Sequence, residues 1–288
     1  MIIAAAFIVG GTVGVLTGLF GVGGGFLITP MLNVLLGIPM PIAVGTGTVQ
    51  ILGVATAGLY RRRGQGLTDY KMAVVLFGGN YVGVRLGVTS LEWLETAASL
   101  QFGDNLVPAA DFVILCIFLL VLAATAAWLL FDTSRGGTSL AGHGGLLARI
   151  KLAPYTNFSM LEQPRLSIVV VSYFGLLLGL LTGLLGIGGG VILFPALVYL
   201  MGMRTHPAAA TSLALIWLSS FVATISHTVA GNTDIRLAIP LLVGGTVGVQ
   251  IGITFCKRLA GLRLRRLFAL VVMAAMVLVG AKVASILI

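Results

Sequence analysis

The feature that most constrains the fold is an internal duplication. The run from Leu16 to Gly25 returns 165 positions later as the run from Leu181 to Gly190, and Pro30 and Pro195 close the two runs. The match continues without a gap over residues 16–87 against 181–252, with about 25 identities in roughly 70 positions. The fold must therefore contain two equivalent halves, each with a glycine-rich segment.

Composition places both halves in a membrane. Hydrophobic residues make up 58% of the chain and charged residues only 9%, against about 25% charged in ordinary soluble domains. Several apolar stretches are long enough to cross about 30 Å of hydrocarbon as helices. They are residues 42–60, 70–90, 108–131, 207–228, 235–256 and 266–287, and two longer units, 2–37 and 166–202, are interrupted by the glycine clusters. The predicted fold class is an all-α, polytopic helical membrane protein.

The distribution of charge predicts three parts and their sides. Residues 1–131 form an N-terminal transmembrane repeat and residues 166–288 a C-terminal one, while the hydrophilic, Gly/Ser-rich segment 132–165 is a cytoplasmic linker. Basic residues at 61–71 and 257–266 mark further cytoplasmic loops. The acidic connection 91–111 is therefore placed outside. Because the net charge of +9 gathers at span ends, it reports orientation and does not indicate a nucleic-acid partner.

Equivalent loops carry opposite charge, which predicts inverted topology. The basic loop 61–71 aligns with 226–236, which holds a single arginine. The acidic connection after Gly87 aligns with the basic one after Gly252. The repeats are thus related by a pseudo-two-fold axis in the membrane plane. With residues 132–165 and the loop near Arg204 inside, each glycine-broken unit must enter the membrane and return on the same side, and both termini lie outside.

The glycine runs are the first candidate binding site. A chain that breaks inside the bilayer needs positive φ and close backbone approach, which glycine allows. A helix that begins there directs unpaired amides and its positive end at whatever lies in front of it, which favours an anion. The alternative is close helix packing through small residues, our interpretation of Gly10, Gly14 and Gly18. The candidate residues of the two runs are Gly21, Gly23, Gly24 and Gly25, and Gly186, Gly188, Gly189 and Gly190.

Polar side chains beside these runs are further candidates, each with a structural alternative. The hydroxyls of Thr46, Thr48, Thr211 and Ser212 can donate to an oxyanion or satisfy helix carbonyls. Arg85 can attract an anion or extend to the lipid headgroups. The amides of Gln50, Asn80 and Gln250 are interpreted as interhelical hydrogen bonds before ligand contacts. Asp69 and Asp234 are interpreted as helix caps.

The sequence offers no signal of catalysis or of a cofactor. His143, His206 and His227 are predicted in the linker and loops without the spacing of metal ligands. Cys116 and Cys256 lie in separate spans, so neither a disulfide framework nor a paired redox motif is indicated. Walker, nucleophile-elbow and zinc-protease motifs are absent. We expect no enzyme activity, no metal and no cofactor.

Together these motifs resemble the TauE/SafE family of sulfite-exporter-like transporters (TSUP family). The resemblance covers nearly the whole chain except the central linker and the last span. It rests on the paired glycine runs with their prolines and on the stretches Ala43–Thr48 and Ala208–Ser212 that follow. It implies a permease of small sulfur-containing anions such as sulfite or organosulfonates. Gly47-Thr48 stands where the second repeat has Ser212-Leu213, so the hydroxyls of the halves need not be equivalent.

The predicted function is a secondary transporter that exports small sulfur-containing oxyanions bound between the repeats of a multi-pass protein of the cell (inner) membrane. A selective anion channel and a non-transporting membrane scaffold are the alternatives. The partners expected are the anionic substrate and the lipid bilayer. The sequence leaves open the substrate, whether the membrane potential, protons or sodium ions drive transport, and whether the chain forms a homo-oligomer.

Overall fold

The computed structural model describes residues 2–96, 100–102, 105–134, 147, 150, 152–161 and 165–287. Ten α-helices account for most of them: α1 (Ile2–Phe20), α2 (Gly25–Leu36), α3 (Met40–Arg62), α4 (Tyr70–Glu95), α5 (Ala109–Ser134), α6 (Ile168–Leu185), α7 (Gly190–Pro195), α8 (Thr205–Val229), α9 (Ile235–Cys256) and α10 (Gly261–Leu287). A π-helical turn, Ala196–Leu200, continues α7. Two short antiparallel hairpins, β1 (Leu100–Phe102) with β2 (Asn105–Val107) and β3 (Tyr155–Asn157) with β4 (Arg165–Ser167), lie in connections.

The helices confirm an all-α, polytopic membrane protein. Among the described residues, eight helices are long and apolar enough to cross a bilayer: α1, α3, α4, α5, α6, α8, α9 and α10. The six predicted uninterrupted spans each correspond to one of these helices. The two predicted broken units become α1 with α2, and α6 with α7 and its π-helical turn. The sequence analysis did not anticipate the two hairpins.

Two helix pairs pack so closely that their backbones touch. On α1, Gly10 lies against Leu241 of α9 and Gly14 lies against Gly245, so a methyl group on either glycine would overlap backbone atoms. The contacts advance in the same direction along both helices, which makes the pair parallel. This confirms the packing role predicted for these glycines. Such contact requires glycine because any Cβ would separate the helices.

The second pair, α4 with α6, repeats the first at positions shifted by 165. Gly175 lies against Leu76 and Gly179 lies against Asn80, the positions equivalent to Gly10 with Leu241 and Gly14 with Gly245. Each half therefore supplies its first helix to a groove on the fourth helix of the other half. The remaining long helices of the centre, α3 and α8, pack against each other and against these pairs.

The connections gather at two ends of the bundle. At one end Lys71 Nζ donates to the carbonyl oxygen of Asn157 over 3.0 Å, and Leu161 forms an isolated bridge with Met203. At the other end Asn232 Nδ2 donates to Glu95 Oε1 over 3.0 Å. Helix α4, which joins the two ends, is 26 residues long, or roughly 39 Å at 1.5 Å per residue. The equivalent loops 61–71 and 226–236 thus lie at different ends.

Inverted repeats remain our interpretation of this arrangement, as do the three predicted parts of the chain. Much of the linker 132–165, including His143, lies outside the described residues. The described part of the linker contacts the start of α4, because Ser159 Oγ and the amide of Met160 each donate to Asp69 Oδ2, over 3.4 and 3.3 Å. The described part of the linker therefore lies at the same end of the bundle as the basic loop 61–71.

The ends of three helices bear on the predictions for the two aspartates and for two of the histidines. Asp69 Oδ1 accepts from the amide of Met72 over 3.0 Å, and Asp234 Oδ1 accepts from that of Arg236 over 2.8 Å, which confirms both caps. The placement of His206 and His227 in loops is wrong, since both lie in α8. His227 is fully buried. Helix α8 begins at Thr205, two residues before the predicted span, and so includes His206. His227 lies inside the span, where its ring contacts the carbonyl oxygen of Gly183 on α6 over 3.0 Å.

Candidate functional site

A glycine turn breaks the first helical unit of each half, and the two turns lie at equivalent positions. In the first turn Gly21, Gly23 and Gly24 have φ of +68°, +73° and +71°. In the second turn Gly186, Gly188 and Gly189 have φ of +65°, +64° and +71°. Residues with a Cβ rarely adopt these angles. The turns therefore depend on glycine, and all six residues are buried.

The two turns are in direct backbone contact. A methyl group on Gly25 would overlap the carbonyl oxygen of Gly186, and one on Gly190 would overlap the backbone of Val22. Residues 22 and 25 are equivalent to 187 and 190, so the contacts are reciprocal. The structure thus brings together the two runs that lie 165 positions apart in the chain.

Ile51 of α3 and Ile216 of α8, which are also equivalent, flank both turns. A Cβ on Gly23 would approach the Cγ2 atoms of Ile216 and Ile51 to 2.7 and 3.2 Å. A Cβ on Gly188 would lie 3.4 Å from each of the same two atoms. The isoleucine side chains are fully buried. They form an apolar lining against both turns that the sequence analysis missed, although their spacing of 165 was an available signal.

Each turn ends in the start of a helix whose first amides are unpaired. Helix α2 begins after Gly24 and α7 begins after Gly189, both in the left-handed conformation. Among the described residues, no hydrogen-bond partner is found for the amides from Gly23 to Gly25 or from Gly188 to Gly190. Buried amides without partners are rare in proteins. At a helix start the dipole is positive, so unpaired amides there favour negative charge. An anion site at the turns stays a prediction.

The candidate hydroxyls are engaged with protein atoms. Thr46 Oγ1 accepts from the amide of Asp234 over 3.0 Å, and Thr211 Oγ1 accepts from that of Asp69 over 2.9 Å. Two others donate to carbonyl oxygens: Thr48 to Gly45 over 2.7 Å, and Ser212 to Gly21, in the first glycine turn, over 2.8 Å. These four hydroxyls therefore serve hydrogen bonds within the protein, and that of Ser212 reaches the first glycine turn.

Arg85 is not brought to the glycine turns. Its side chain is exposed, and it lines a separate cleft of about 130 Å³ with Thr89, Glu92 and Ser226. This location agrees with the alternative in which Arg85 extends to the membrane surface.

Two buried basic side chains contact the helices that precede the turns. Arg62 Nη2 donates to the carbonyl oxygen of Gly18 over 2.9 Å, and His227 Nε2 lies 3.0 Å from that of Gly183. Because a carbonyl oxygen only accepts, His227 carries its hydrogen on Nε2. The two contacts occupy equivalent positions in the halves. Sequence reasoning missed this pair, and the available signal was a basic residue at the same position of both repeats.

Gln50 is the polar side chain whose surroundings differ most from expectation. It is fully buried in α3, and neither of its amide atoms has a hydrogen-bond partner among the described residues. The predicted interhelical bond is therefore wrong for Gln50. It is confirmed for Asn80, whose Oδ1 accepts from Ser219 Oγ over 2.6 Å. The side chain of Gln250 is exposed.

Comparison with known proteins agrees with this architecture. The family model described as "Sulfite exporter TauE/SafE" matches residues 6–279. A "Probable membrane transporter protein" of Xylella fastidiosa (strain Temecula1) is 28% identical over 268 residues, which cover 92% of this chain and 90% of that protein. The "Probable membrane transporter protein YunE" of Bacillus subtilis is 26% identical over 267 residues, with 90% and 89% covered.

A third relative extends the similarity. The "Probable membrane transporter protein MJ0441" of Methanocaldococcus jannaschii is 24% identical over 273 residues, with 87% and 86% covered. No solved structure matches the chain. The names of these relatives describe transporters and not enzymes, in agreement with the expectation from the sequence.

Proposed function

Since the chain belongs to the sulfite exporter TauE/SafE family, we propose that this membrane transporter exports small sulfur-containing oxyanions such as sulfite or short organosulfonates. The observation that carries the proposal is the meeting of two helix starts, at Gly25 and Gly190, with unpaired buried amides on both. Each start favours negative charge by typically 0.3–1 kcal/mol, and by more when partly buried. Two converging starts offset part of the cost of removing an anion from water.

The chemistry of the surroundings favours a compact oxyanion over a zwitterion or a cation. Sulfite and sulfonates present three acceptor oxygens, which several backbone amides can satisfy together. Ile51 and Ile216 supply an apolar surface beside the amides, suited to the short carbon chain of an organosulfonate. The Gln50 amide, buried without a partner, is a side-chain donor available at the core. None of these groups carries the negative charge that would pair with the ammonium of taurine.

The packing of the halves suits movement between two states. The pairs α1 with α9 and α4 with α6 are held by backbone contact at glycines, so each pair moves as one body. When one pair tilts against the other, an anion bound at the glycine turns becomes accessible from one end of the bundle or from the other. We interpret the halves as inverted repeats that alternate access in this way. The end with Arg63 and the linker is assigned to the cytoplasm of a cell whose inner membrane holds the protein.

A ligand panel and a transport assay test the proposal. Thermal unfolding of the purified protein is measured with sulfite, sulfate, thiosulfate, sulfoacetate, taurine and phosphate, since a ligand that binds the folded state raises the midpoint. We expect stabilisation by sulfite or sulfoacetate and none by taurine. Stabilisation by taurine alone, or by a cation alone, would contradict the proposed anion site.

Counterflow in proteoliposomes then separates a transporter from a channel. An unlabelled anion inside the vesicles should accelerate uptake of the labelled anion, because trans-acceleration requires alternating access. Transport of an anion without a counter-ion is electrogenic, and a membrane potential contributes about 2.3 kcal/mol per charge and 100 mV. We expect flux to follow a potassium/valinomycin potential without a pH or sodium gradient. Strict dependence on either gradient would contradict uniport.

A further inference from the structure

A basic cavity of about 510 Å³ lies at the start of α8 and α10. Three of its lining side chains are basic: Arg204, His206 and Arg265. The other lining residues are Leu67, Met203, Thr205, Pro207 and Gly261. The cavity opens at the end of the bundle that also carries the basic loop 61–71 and the described part of the linker. No acidic residue occurs among the described residues that line it.

The basic groups are held in place by neighbours. Arg265 Nε donates to Thr205 Oγ1 over 3.1 Å, and its guanidinium carbon lies 5.5 Å from the ring centre of Tyr199. His206 Nδ1 lies 3.9 Å from Cys256 Sγ. Arg204, next to both, is exposed. The cavity therefore combines a guanidinium held by neighbours with an exposed one, an arrangement suited to oxyanions because guanidinium groups bind them through paired hydrogen bonds.

The equivalent place in the other half is acidic. A cavity of about 180 Å³ lies at the start of α3 and α5 and includes Pro39 and Pro41, the positions equivalent to Arg204 and His206. Its charged lining residues are Glu95 and Asp111. Asp111 Oδ1 accepts from the amide of Met40 over 3.0 Å. The two cavities thus have the same place in the repeat but opposite charge, and they lie at different ends of the bundle.

We propose that the basic cavity is the loading vestibule for the oxyanion and that its acidic counterpart is the release side. This inference rests on the proposed function and adds a direction to it. A cleft lined by one sign of charge raises the local concentration of the opposite ion and its rate of association. The vestibules do not change the overall equilibrium of transport, which the driving force sets. They increase anion capture at the basic end and disfavour return from the acidic end.

The transport test changes only the charge at one position of the folded protein. Arg204→Cys is introduced where Cys116 and Cys256 are alanine, and the purified protein is labelled with a cationic trimethylammonium-ethyl or an anionic sulfonatoethyl methanethiosulfonate. We expect the ratio of maximal rate to KM for sulfoacetate in proteoliposomes to be about tenfold higher with the cationic label. The matched control is Arg263→Cys, exposed on α10 outside the cavity, where both labels should give the same value within twofold.

Equal transport with either label at position 204, in a protein that transports sulfoacetate, would overturn the vestibule while leaving the proposed function intact. A second readout does not require transport. At Leu67→Cys, which lines the cavity and keeps both arginines, the anionic reagent should react faster relative to the cationic one than it does at Arg263→Cys. Arg204→Gln with Arg265→Gln should reduce that ratio about tenfold, and an unchanged ratio would contradict an anion-attracting cavity.

Discussion

The hydroxyl oxygen of Thr46 accepts a hydrogen bond of 3.0 Å from the backbone amide of Asp234, 188 residues later in the chain. Thr211 makes the equivalent contact in the other half, with the amide of Asp69 over 2.9 Å. In each case a helix of one half fixes the start of a helix in the other half. The halves are therefore coupled crosswise, and both threonines are expected to contribute to stability.

Thr46→Val and Thr211→Val should each lower the free energy of unfolding by about 1–3 kcal/mol, because a backbone amide loses its acceptor while the shape of the side chain is kept. The amide of Asp69 is buried and that of Asp234 is partly buried. Thermal unfolding in detergent measures the effect. The control is Thr12→Val, an exposed threonine that bonds only carbonyls of its own helix, and it should change stability by less than about 0.5 kcal/mol. No loss at one of the two positions would contradict the crosswise equivalence.

Gly189→Ala should abolish the thermal stabilisation by sulfite or sulfoacetate. Alanine at a φ of +71° is strained, at a cost of roughly 1–2 kcal/mol. The turn is therefore expected to change its conformation, and its amides would lose their orientation towards the anion. The matched control is Gly231→Ala, which has a φ of +79° but nothing within 4 Å of a new methyl group. Both variants should lose similar stability, and only the control should keep the ligand response. A response retained by Gly189→Ala would show that the glycine only shapes the fold.

Gly78 and Gly79 are adjacent on α4 and should respond oppositely to alanine. A methyl group on Gly79 would overlap the carbonyl of Ser172 on α6, whereas one on Gly78 meets nothing within 4 Å. We expect Gly79→Ala to lose about 1–3 kcal/mol through overpacking and Gly78→Ala to gain up to about 1 kcal/mol in helix propensity. The fraction of monodisperse protein and its unfolding midpoint report both. Equal tolerance would disprove the backbone contact between α4 and α6.

Gln50→Leu should stabilise the unliganded protein by about 1–3 kcal/mol, because it removes a buried amide that has no partner. The same change should weaken the stabilisation by sulfoacetate if the amide donates to the anion. Asn80→Leu is the contrasting variant, since Asn80 is hydrogen-bonded to Ser219, and it should destabilise the protein. A loss of stability in Gln50→Leu would indicate that the amide has a partner in the folded protein.

Single cysteines at Arg63 and Thr228, which are equivalent and both exposed, should react with an impermeant maleimide from opposite sides of the membrane. Inverted repeats require this result, and sealed vesicles of known orientation provide the measurement. Arg263→Cys should share the side of position 63, since both belong to the basic loops. Labelling of positions 63 and 228 from one side would exclude the inverted relationship.

The sequence by itself determined the features that depend on local composition and on repetition. Span positions follow from apolar length, the breaks at Gly21–Gly24 and Gly186–Gly189 follow from the exclusion of Cβ atoms at positive φ, and the caps at Asp69 and Asp234 follow from their place before a span. These are properties of single segments. The internal duplication additionally identified which segments are equivalent.

Only the tertiary structure decided which atoms meet across the halves. Whether the Thr46 hydroxyl accepts from a distant amide, whether Gln50 finds a partner, and whether Arg85 approaches the glycine turns depend on helix rotation and register. Those are set by backbone contacts such as Gly14 with Gly245 and Gly179 with Asn80. A contact between residues nearly two hundred positions apart leaves no local pattern in the chain. Its energy comes from the packed interface and not from either segment alone.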